Sequence, residues 1–267
     1  VFGGRPYPVT YFLAIGFKAA AFALILRLVA EGFAPAAERW EQWQLVIAVL
    51  AGLTMLVGNL VALAQKNLKR LLAYSSIGHA GFILAGITAG SLQSDLAANG
   101  VMFYLVGYSV TNLVVFAAVI SFFNMTGKEE ITDLGGLASN QPFLAACLGM
   151  GLFSLAGLPI FAGFTMKFYL FTAVASEGFL WLAGLAIFSS LISLYYYFQV
   201  LRQVYIEPVP VGETGVDIAE ENPALRARPS LPIVTVLASG AGAMIWLGIY
   251  PRPLIEVIQA ASDAVIR

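Results

Sequence analysis

The sequence predicts an all-α polytopic membrane protein with about seven transmembrane helices. Of its 267 residues, 60% are hydrophobic and only 11% are charged, whereas soluble domains carry about 25% charged residues. Several apolar stretches reach the roughly 20 residues that a helix needs to cross the hydrocarbon core of a bilayer. The formal net charge of −1 gives no basis for binding nucleic acid, and the single cysteine, Cys147, can form neither an internal disulfide nor a cluster site.

Seven apolar segments are the predicted spans, and a polar loop and a short tail complete the chain. The spans cover residues 8–31, 43–65, 69–90, 97–124, 141–176, 179–206 and 230–250. Acidic residues lie at span ends, as at Glu31 and Glu177. Residues 207–229 are acidic and contain several prolines, which predicts a flexible loop. In residues 251–267 apolar side chains are spaced among polar ones, which predicts a short interfacial helix.

The fifth span is predicted to be a broken helix. Residues 141–176 are too many for one simple span, and Gly157, Pro159 and Gly163 lie near the centre. Proline lacks the backbone N–H and clashes with the preceding helical turn. Backbone left unpaired at membrane depth is tolerated only where it is buried in protein or lines a hydrated cavity. The alternative is a proline kink without a function.

The loop charges predict the orientation of the chain in the membrane. One side carries eight basic residues and the other carries four. The first set is Arg5, Lys66, Lys69, Arg70, Lys128, Arg202, Arg226 and Arg228, and the second is Arg27, Arg39, Arg252 and Arg267. By the positive-inside rule the first side is cytoplasmic, so the loop is predicted to be cytoplasmic and the C-terminus external.

Three basic side chains, Lys18, His79 and Lys167, lie near the middle of predicted spans. Lys18 follows Pro8 by ten residues and His79 follows Lys69 by ten, which corresponds to about 15 Å along a helix. A charge at that depth costs about 2.5–3.5 kcal/mol on insertion scales, so such residues face a protein interior or a hydrated cavity. The span interiors hold no Asp or Glu to pair with them. The three bases therefore predict a row of proton-binding sites.

Four motifs resemble the antiporter-like subunits of respiratory complex I. The run PVTYFLAIGFK (8–18) resembles a helix of that family that carries a lysine, and GNLVALAQKNLKRLLAYSSIGHAG (58–81) resembles its strongest signature. The run SLAGLPIFAGFTMKFY (154–169) is similar to its discontinuous helix, and YYYFQVLR (195–202) matches the end of the next one. These details favour the subunit N branch over its two larger paralogues.

The resemblance implies a proton-translocating module. The family has about fourteen helices in two inverted repeats, and this chain resembles helices eight to fourteen, which include the whole second repeat. Lys18 matches the family's connecting lysine, His79 its bridging residue and Lys167 its terminal lysine. These residues would form a hydrated Lys–His–Lys axis. The helix-five glutamate and helix-seven lysine of the family lie outside this chain.

Polar side chains in the spans are candidates for holding water along that axis, although each also suits an ordinary interhelical hydrogen bond. The candidates are Tyr74, Ser75, Ser76, Tyr108, Asn112 and Ser190, followed by Tyr104, Ser109, Ser189 and Ser193. Lys69 is a candidate for proton uptake from the cytoplasm, or else an interfacial anchor like Lys66 and Arg70.

The resemblance also sets expectations for partners and cofactors. It implies a subunit of a proton-translocating NADH:quinone oxidoreductase in an energy-transducing membrane, most simply the bacterial inner membrane. Its partners would be lipid, other membrane subunits and the N-terminal half of the same protein. The complex would use NADH or another donor, FMN, iron–sulfur clusters and quinone, with no cofactor or metal site in this chain. Two alternatives are a subunit of a multisubunit cation/proton antiporter and a non-pumping structural scaffold.

Overall fold

Helices account for all the regular structure in the part of the chain that the computed structural model describes, residues 13–29, 37–89, 95–208 and 230–266. The helices are α1 (Lys18–Arg27, after a π-helical turn Leu13–Phe17), α2 (Ala37–Leu63), α3 (Leu68–Thr88), α4 (Asp95–Thr126), α5 (Pro142–Ala156), α6 (Ala162–Ser176), α7 (Leu180–Tyr205), α8 (Leu231–Ile249) and α9 (Arg252–Ile266). Two single turns, Ile131–Leu134 and Leu137–Asn140, join α4 to α5. Several predicted features lie outside the described residues: the span ends at Pro8 and Glu31, residues 209–229 of the loop, and Arg5, Arg226, Arg228 and Arg267.

Five of the described helices are long and apolar enough to cross a membrane. They are Gln42–Leu63, Leu68–Thr88, Leu96–Thr126, Leu180–Tyr205 and Leu231–Ile249. The predicted class, an all-α polytopic membrane protein, is confirmed. The count of about seven spans stays a prediction, because α1 has 10 described residues and α5 and α6 have 15 each.

The predicted break in the fifth span is confirmed. Helix α5 ends at Ala156, and Gly157 follows in the left-handed region with a φ of 90°. The N–H of Gly157 donates to Ser154 O and that of Leu158 donates to Phe153 O, which is a Schellman motif. Pro159 then prevents the helix from continuing. Helix α6 starts again at Ala162, so residues 157–161 separate the two half-helices.

The two half-helices pack tightly where they meet. A side chain at Gly163, in the first turn of α6, would collide with the backbone oxygen of Ser154 in the last turn of α5. The Gly163 N–H donates to Ser154 Oγ at 3.0 Å, and that hydroxyl also pairs with Thr111 of α4 at 2.9 Å. One serine therefore joins both half-helices to the neighbouring helix.

Helix α3 is the most enclosed of the five long helices, with 72% of its apolar stretch buried inside the protein, against 61% for α4. Its first turn is capped by Asn67, whose Oδ1 accepts from the Arg70 N–H at 3.0 Å. Asn67 Nδ2 also donates to Glu129, and the Leu68 N–H donates to the Glu129 backbone oxygen. The start of α3 is thereby tied to the segment that follows α4.

Candidate functional site

Three helices bring the singled-out basic side chains into the interior of the bundle. Lys18 lies at the start of α1, His79 in the middle of α3 and Lys167 in the first half of α6. His79 and Lys167 are buried, and Lys18 is half-buried. None of the three donates a hydrogen bond to another within the described residues, so each is held by its own set of neighbours.

Lys18 is held by a serine of α3 and a tyrosine of α4. Its Nζ donates to the backbone oxygen of Ser76 at 2.5 Å and to Ser76 Oγ at 2.8 Å. The same nitrogen lies 4.9 Å from the centroid of the Tyr108 ring, within the range of a cation–π interaction. The Tyr108 hydroxyl in turn interacts with Ser76 and Asn112.

His79 lies among aromatic rings. Its Nδ1 is 2.6 Å from the Tyr104 hydroxyl. Its ring centroid is 4.9 Å from that of Tyr108 and 5.6 Å from that of Phe82, with Phe82 nearly perpendicular. Its Nε2 is buried without a hydrogen-bond partner. A buried polar atom without a partner is costly in a folded protein, so this nitrogen is a candidate for a functional role.

Lys167 donates to the backbone oxygens that the helix break leaves free. Its Nζ is 2.8 Å from Leu155 O, 3.1 Å from Ala156 O and 2.9 Å from Ser190 Oγ. In a continuous helix the Leu155 carbonyl would accept from residue 159, but Pro159 has no N–H. The last carbonyls of a helix need an outside donor, and here the lysine supplies it.

Two aromatic rings connect the three bases. Tyr108 is a neighbour of both Lys18 and His79. Phe82 is a neighbour of both His79 and Lys167, whose Nζ lies 5.3 Å from the Phe82 centroid. The order along this line is therefore Lys18, Tyr108, His79, Phe82 and Lys167.

A second polar network joins α2, α3 and α7. The hydroxyls of Ser75 and Tyr197 form a short hydrogen bond. The Tyr196 hydroxyl donates to Asn59 Oδ1 at 2.8 Å, and Asn59 Nδ2 donates to Ser189 Oγ at 2.7 Å. Tyr196 also interacts with Ser75 and Tyr197, so the five side chains form one network.

The remaining sequence candidates have more local roles. Ser109 Oγ donates to Leu105 O in its own helix, and Asn112 Nδ2 donates to Tyr108 O. Tyr74 is half-buried and packs against the core. Lys69, predicted to serve proton uptake or to be an interfacial anchor, has a buried side chain in the first turn of α3. Its part in proton uptake stays a prediction.

Sequence reasoning missed several residues of this interior. They are Asn59, Phe82, Ser154, Tyr196 and Tyr197. A signal existed for Tyr196 and Tyr197, because they lie in the YYYFQVLR run and are four residues or fewer from Ser193. Phe82 carried no signal, since it is an apolar residue in an apolar span. Among the described residues, no three His, Cys, Asp or Glu side chains come together in a way that could hold a metal ion.

The chain is similar to known proteins in sequence and in fold. Residues 1–193 match the family described as NADH:quinone oxidoreductase/Mrp antiporter, TM. The NADH-quinone oxidoreductase subunit N of Dehalococcoides mccartyi is 37% identical over the whole chain, which covers 53% of that protein. The subunit N of Desulforamulus reducens is 41% identical over 99% of the chain and 52% of that protein. The chain thus spans about half the length of these curated relatives.

Solved structures share the fold. A chain of respiratory complex I from Thermus thermophilus with bound aureothin has a TM-score of 0.74 and 31% identity, over 96% of this chain and 52% of that one. A chain of the archaeal membrane-bound sulfane sulfur reductase has a TM-score of 0.83 and 25% identity, over 100% and 51%. A chain of the Mrp complex from Dietzia sp. DQ12-45-1b has a TM-score of 0.79 and 22% identity, over 92% and 51%, which is a likeness of fold alone.

Proposed function

This chain belongs to the NADH:quinone oxidoreductase/Mrp antiporter transmembrane family, and on that premise we propose that it translocates protons as a membrane subunit of a NADH:quinone oxidoreductase. The single observation that carries the proposal is the line of three basic side chains through the interior. Lys18, His79 and Lys167 belong to three helices, yet share Tyr108 and Phe82 as neighbours. Within the described residues no carboxylate forms an ion pair with these bases, and bases in such an interior suit reversible protonation.

The chemistry assigned to this chain is proton transfer alone. Lys18 and Lys167 take up and release protons at the two ends of the axis, and His79 takes part in the exchange, since an imidazole accepts at one nitrogen while it donates from the other. The electron-transfer groups, namely FMN, iron–sulfur clusters and quinone, belong in other subunits on this proposal. The partners are those subunits, lipid, and the N-terminal half of the same protein.

Movement of protons follows from electrostatics. A proton that arrives at one base repels a proton on the next, and this repulsion is large in a poorly hydrated interior. A change of charge in a neighbouring subunit, driven by quinone reduction, would shift the protonation of Lys18 first and that of Lys167 in response. A proton is then released outward near the helix break.

Two alternatives use the same fold. A multisubunit cation/proton antiporter is less favoured, because the relatives described above at 37% and 41% identity are named NADH-quinone oxidoreductase subunits, whereas the Mrp complex is 22% identical. A non-pumping scaffold would need no exchangeable protons at the three bases, and substitution of Lys167 separates that alternative from a pump.

The test replaces Lys167 in the full-length protein within its complex. Lys167→Ala should abolish proton pumping by membrane vesicles, measured with a pH-sensitive dye during NADH oxidation. Lys167→Arg should also fail to pump, although it retains donors for the α5 carbonyls, because a guanidinium does not release its proton. Lys66→Ala, at an exposed position, is the matched control and should pump normally. Normal pumping by Lys167→Ala would contradict the proposal.

A further inference from the structure

The line of bases has one apolar interruption. Phe82 lies between His79 and Lys167, with its ring centroid 5.6 Å from the imidazole centroid and 5.3 Å from Lys167 Nζ. The ring is almost fully buried. A phenyl ring has neither a hydrogen-bond donor nor an acceptor lone pair, so it cannot pass a proton. The ring that adjoins both His79 and Lys167 therefore offers no route for a proton.

Each lysine instead donates a hydrogen bond to a serine hydroxyl, which can pass a proton on. Lys167 donates to two backbone carbonyls and to Ser190 Oγ, and Lys18 donates to one backbone carbonyl and to Ser76 Oγ. A carbonyl only accepts, whereas a hydroxyl can accept one proton while it donates another. Within the described residues, Ser190 and Ser76 are thus the hydrogen-bonded groups through which a proton can leave these two lysines.

Helix α7 carries a row of hydroxyls from one serine toward the other. Ser190, Ser193 and Tyr197 are spaced by three and four residues, so they lie on one face of the helix. From Ser190 to Tyr197 the helix rises about 10 Å. Ser193 and Tyr197 are buried. Ser193 Oγ donates to the backbone oxygen of Ser190 at 2.7 Å, and the Tyr197 hydroxyl bonds to Ser75, which precedes Ser76 in α3.

The adjoining network holds this row in place. Tyr196 interacts with Ser75 and Tyr197, and donates to Asn59 of α2. Asn59 donates to Ser189, the residue before Ser190. Every one of these side chains except Ser190 is buried in the interior of the protein.

We propose, building on the proposed function, that protons pass between Lys18 and Lys167 along the α7 hydroxyls Tyr197, Ser193 and Ser190, and that Phe82 blocks direct transfer from His79 to Lys167. In each step the N–H or O–H bond of the donor breaks as a new bond to hydrogen forms on the next atom, an O–H bond on a hydroxyl or water and an N–H bond on the receiving lysine. Each intermediate oxygen releases its own proton onward. One proton is moved and nothing is oxidised or reduced. Successive turns of a helix are about 5.4 Å apart, so water bridges the hydroxyls that are not in direct contact. His79 exchanges protons with Lys18 through Tyr108.

The same hydroxyls would serve a purely structural role if they only held α2, α3 and α7 together. The two roles differ in what a Tyr→Phe change does. Both roles lose a hydrogen bond, but only the relay loses its proton path. The decisive quantity is therefore the pumping rate divided by the amount of assembled complex. That amount is measured as the rate of electron transfer from NADH to a water-soluble artificial acceptor.

The experiment compares single hydroxyl deletions in the full-length protein within its complex. Tyr197→Phe and Ser193→Ala should each lower the normalised pumping rate by about a hundredfold or more, because a positioned proton-transfer group contributes about 10²–10⁴-fold. Tyr195→Phe is the matched control, because Tyr195 is next in the same tyrosine run but 59% exposed, and it should pump normally. Normal pumping by either Tyr197→Phe or Ser193→Ala would overturn the α7 path.

A second variant tests the barrier. Adding Phe82→Ala to Tyr197→Phe should recover part of the pumping rate, since water can then enter between His79 and Lys167. No recovery would overturn the role given to Phe82. The result for Lys167→Ala keeps the two proposals apart. If that variant stops pumping while Tyr197→Phe does not, the α7 path is wrong and the axis stands. If both variants pump, the proposed function itself is wrong.

Discussion

Single side chains at this site serve folding and chemistry at the same time. Lys167 donates to Leu155 O and Ala156 O, which the break at Pro159 leaves without helical partners. Tyr104 is 2.6 Å from the Nδ1 of His79 and is itself fully buried. Because the other imidazole nitrogen has no hydrogen-bond partner, Tyr104 is what satisfies this histidine in the interior.

Removal of the Tyr104 hydroxyl should therefore destabilise the protein. Tyr104→Phe leaves both nitrogens of a buried imidazole without partners, which costs about 1–3 kcal/mol. The measurement is the unfolding free energy of the purified full-length protein in detergent. Tyr250→Phe, at an exposed position, is the control and should be near neutral. Equal effects for the two variants would show that the hydrogen bond to His79 contributes nothing.

At the scale of elements, the broken pair α5 and α6 is the feature that organises the site. The break exposes carbonyls for Lys167, and it also allows Ser154 to bond both Gly163 and Thr111. Close approach of the half-helices depends on the absence of a side chain at Gly163. Ile160, inside the break, has a φ of 83°, a conformation that is strained for a β-branched residue. Such strain persists only where the surrounding structure enforces it.

A side chain at Gly163 should separate the half-helices. Gly163→Ala places a methyl group against the Ser154 backbone, and overpacking of this kind costs about 1–3 kcal/mol. Gly184→Ala is the control, because a methyl group there meets open space within α7, and alanine should stabilise that helix by up to about 1 kcal/mol. Thermal unfolding of both variants checks the prediction, which fails if Gly163→Ala is as stable as the unchanged protein.

The break and the three bases could be predicted from the sequence because each differs in residue type from the apolar residues around it. A proline between glycines interrupts an apolar run, and a lysine or histidine is conspicuous among leucines. The tyrosines show why the rest could not be predicted. Tyr195, Tyr196 and Tyr197 are identical in type, yet one is exposed and two are buried. Which face of α7 turns inward is decided by packing against α2 and α3, and composition does not contain that information. For the same reason, the position of Phe82 beside His79 and Lys167 could not be predicted from the sequence.

At the scale of the whole molecule, loops far from the axis hold the central helix in place. Asn67 caps α3 and bonds Glu129, and the segment from Lys66 to Leu68 pairs with Glu129 and Ile131 through backbone hydrogen bonds. At the other end of that connection, the Gly136 N–H donates to the backbone oxygen of Glu207, after α7. The start of α3 and the ends of α4 and α7 are therefore joined at one end of the bundle.

Loss of the cap should loosen this end of the bundle. Asn67→Ala removes the bond to the Arg70 N–H and the bond to Glu129, and loss of an N-cap costs about 1 kcal/mol. Hydrogen exchange at the first turn of α3 should accelerate, with little change in the middle of the helix. Asn67→Asp is the matched variant, because it keeps the capping oxygen but repels Glu129. The prediction is wrong if Asn67→Ala leaves exchange in that turn unaltered.

Helix α3 carries Ser75, Ser76, His79 and Phe82, so a single helix contacts both Lys18 and Lys167. Lys18 contacts Ser76 and Lys167 contacts Phe82, so the two lysines pack against different sides of α3. A small rotation or translation of α3 would alter the surroundings of both lysines at once. A conformational change that displaces this helix therefore changes the contacts of Lys18 and Lys167 simultaneously rather than one after the other.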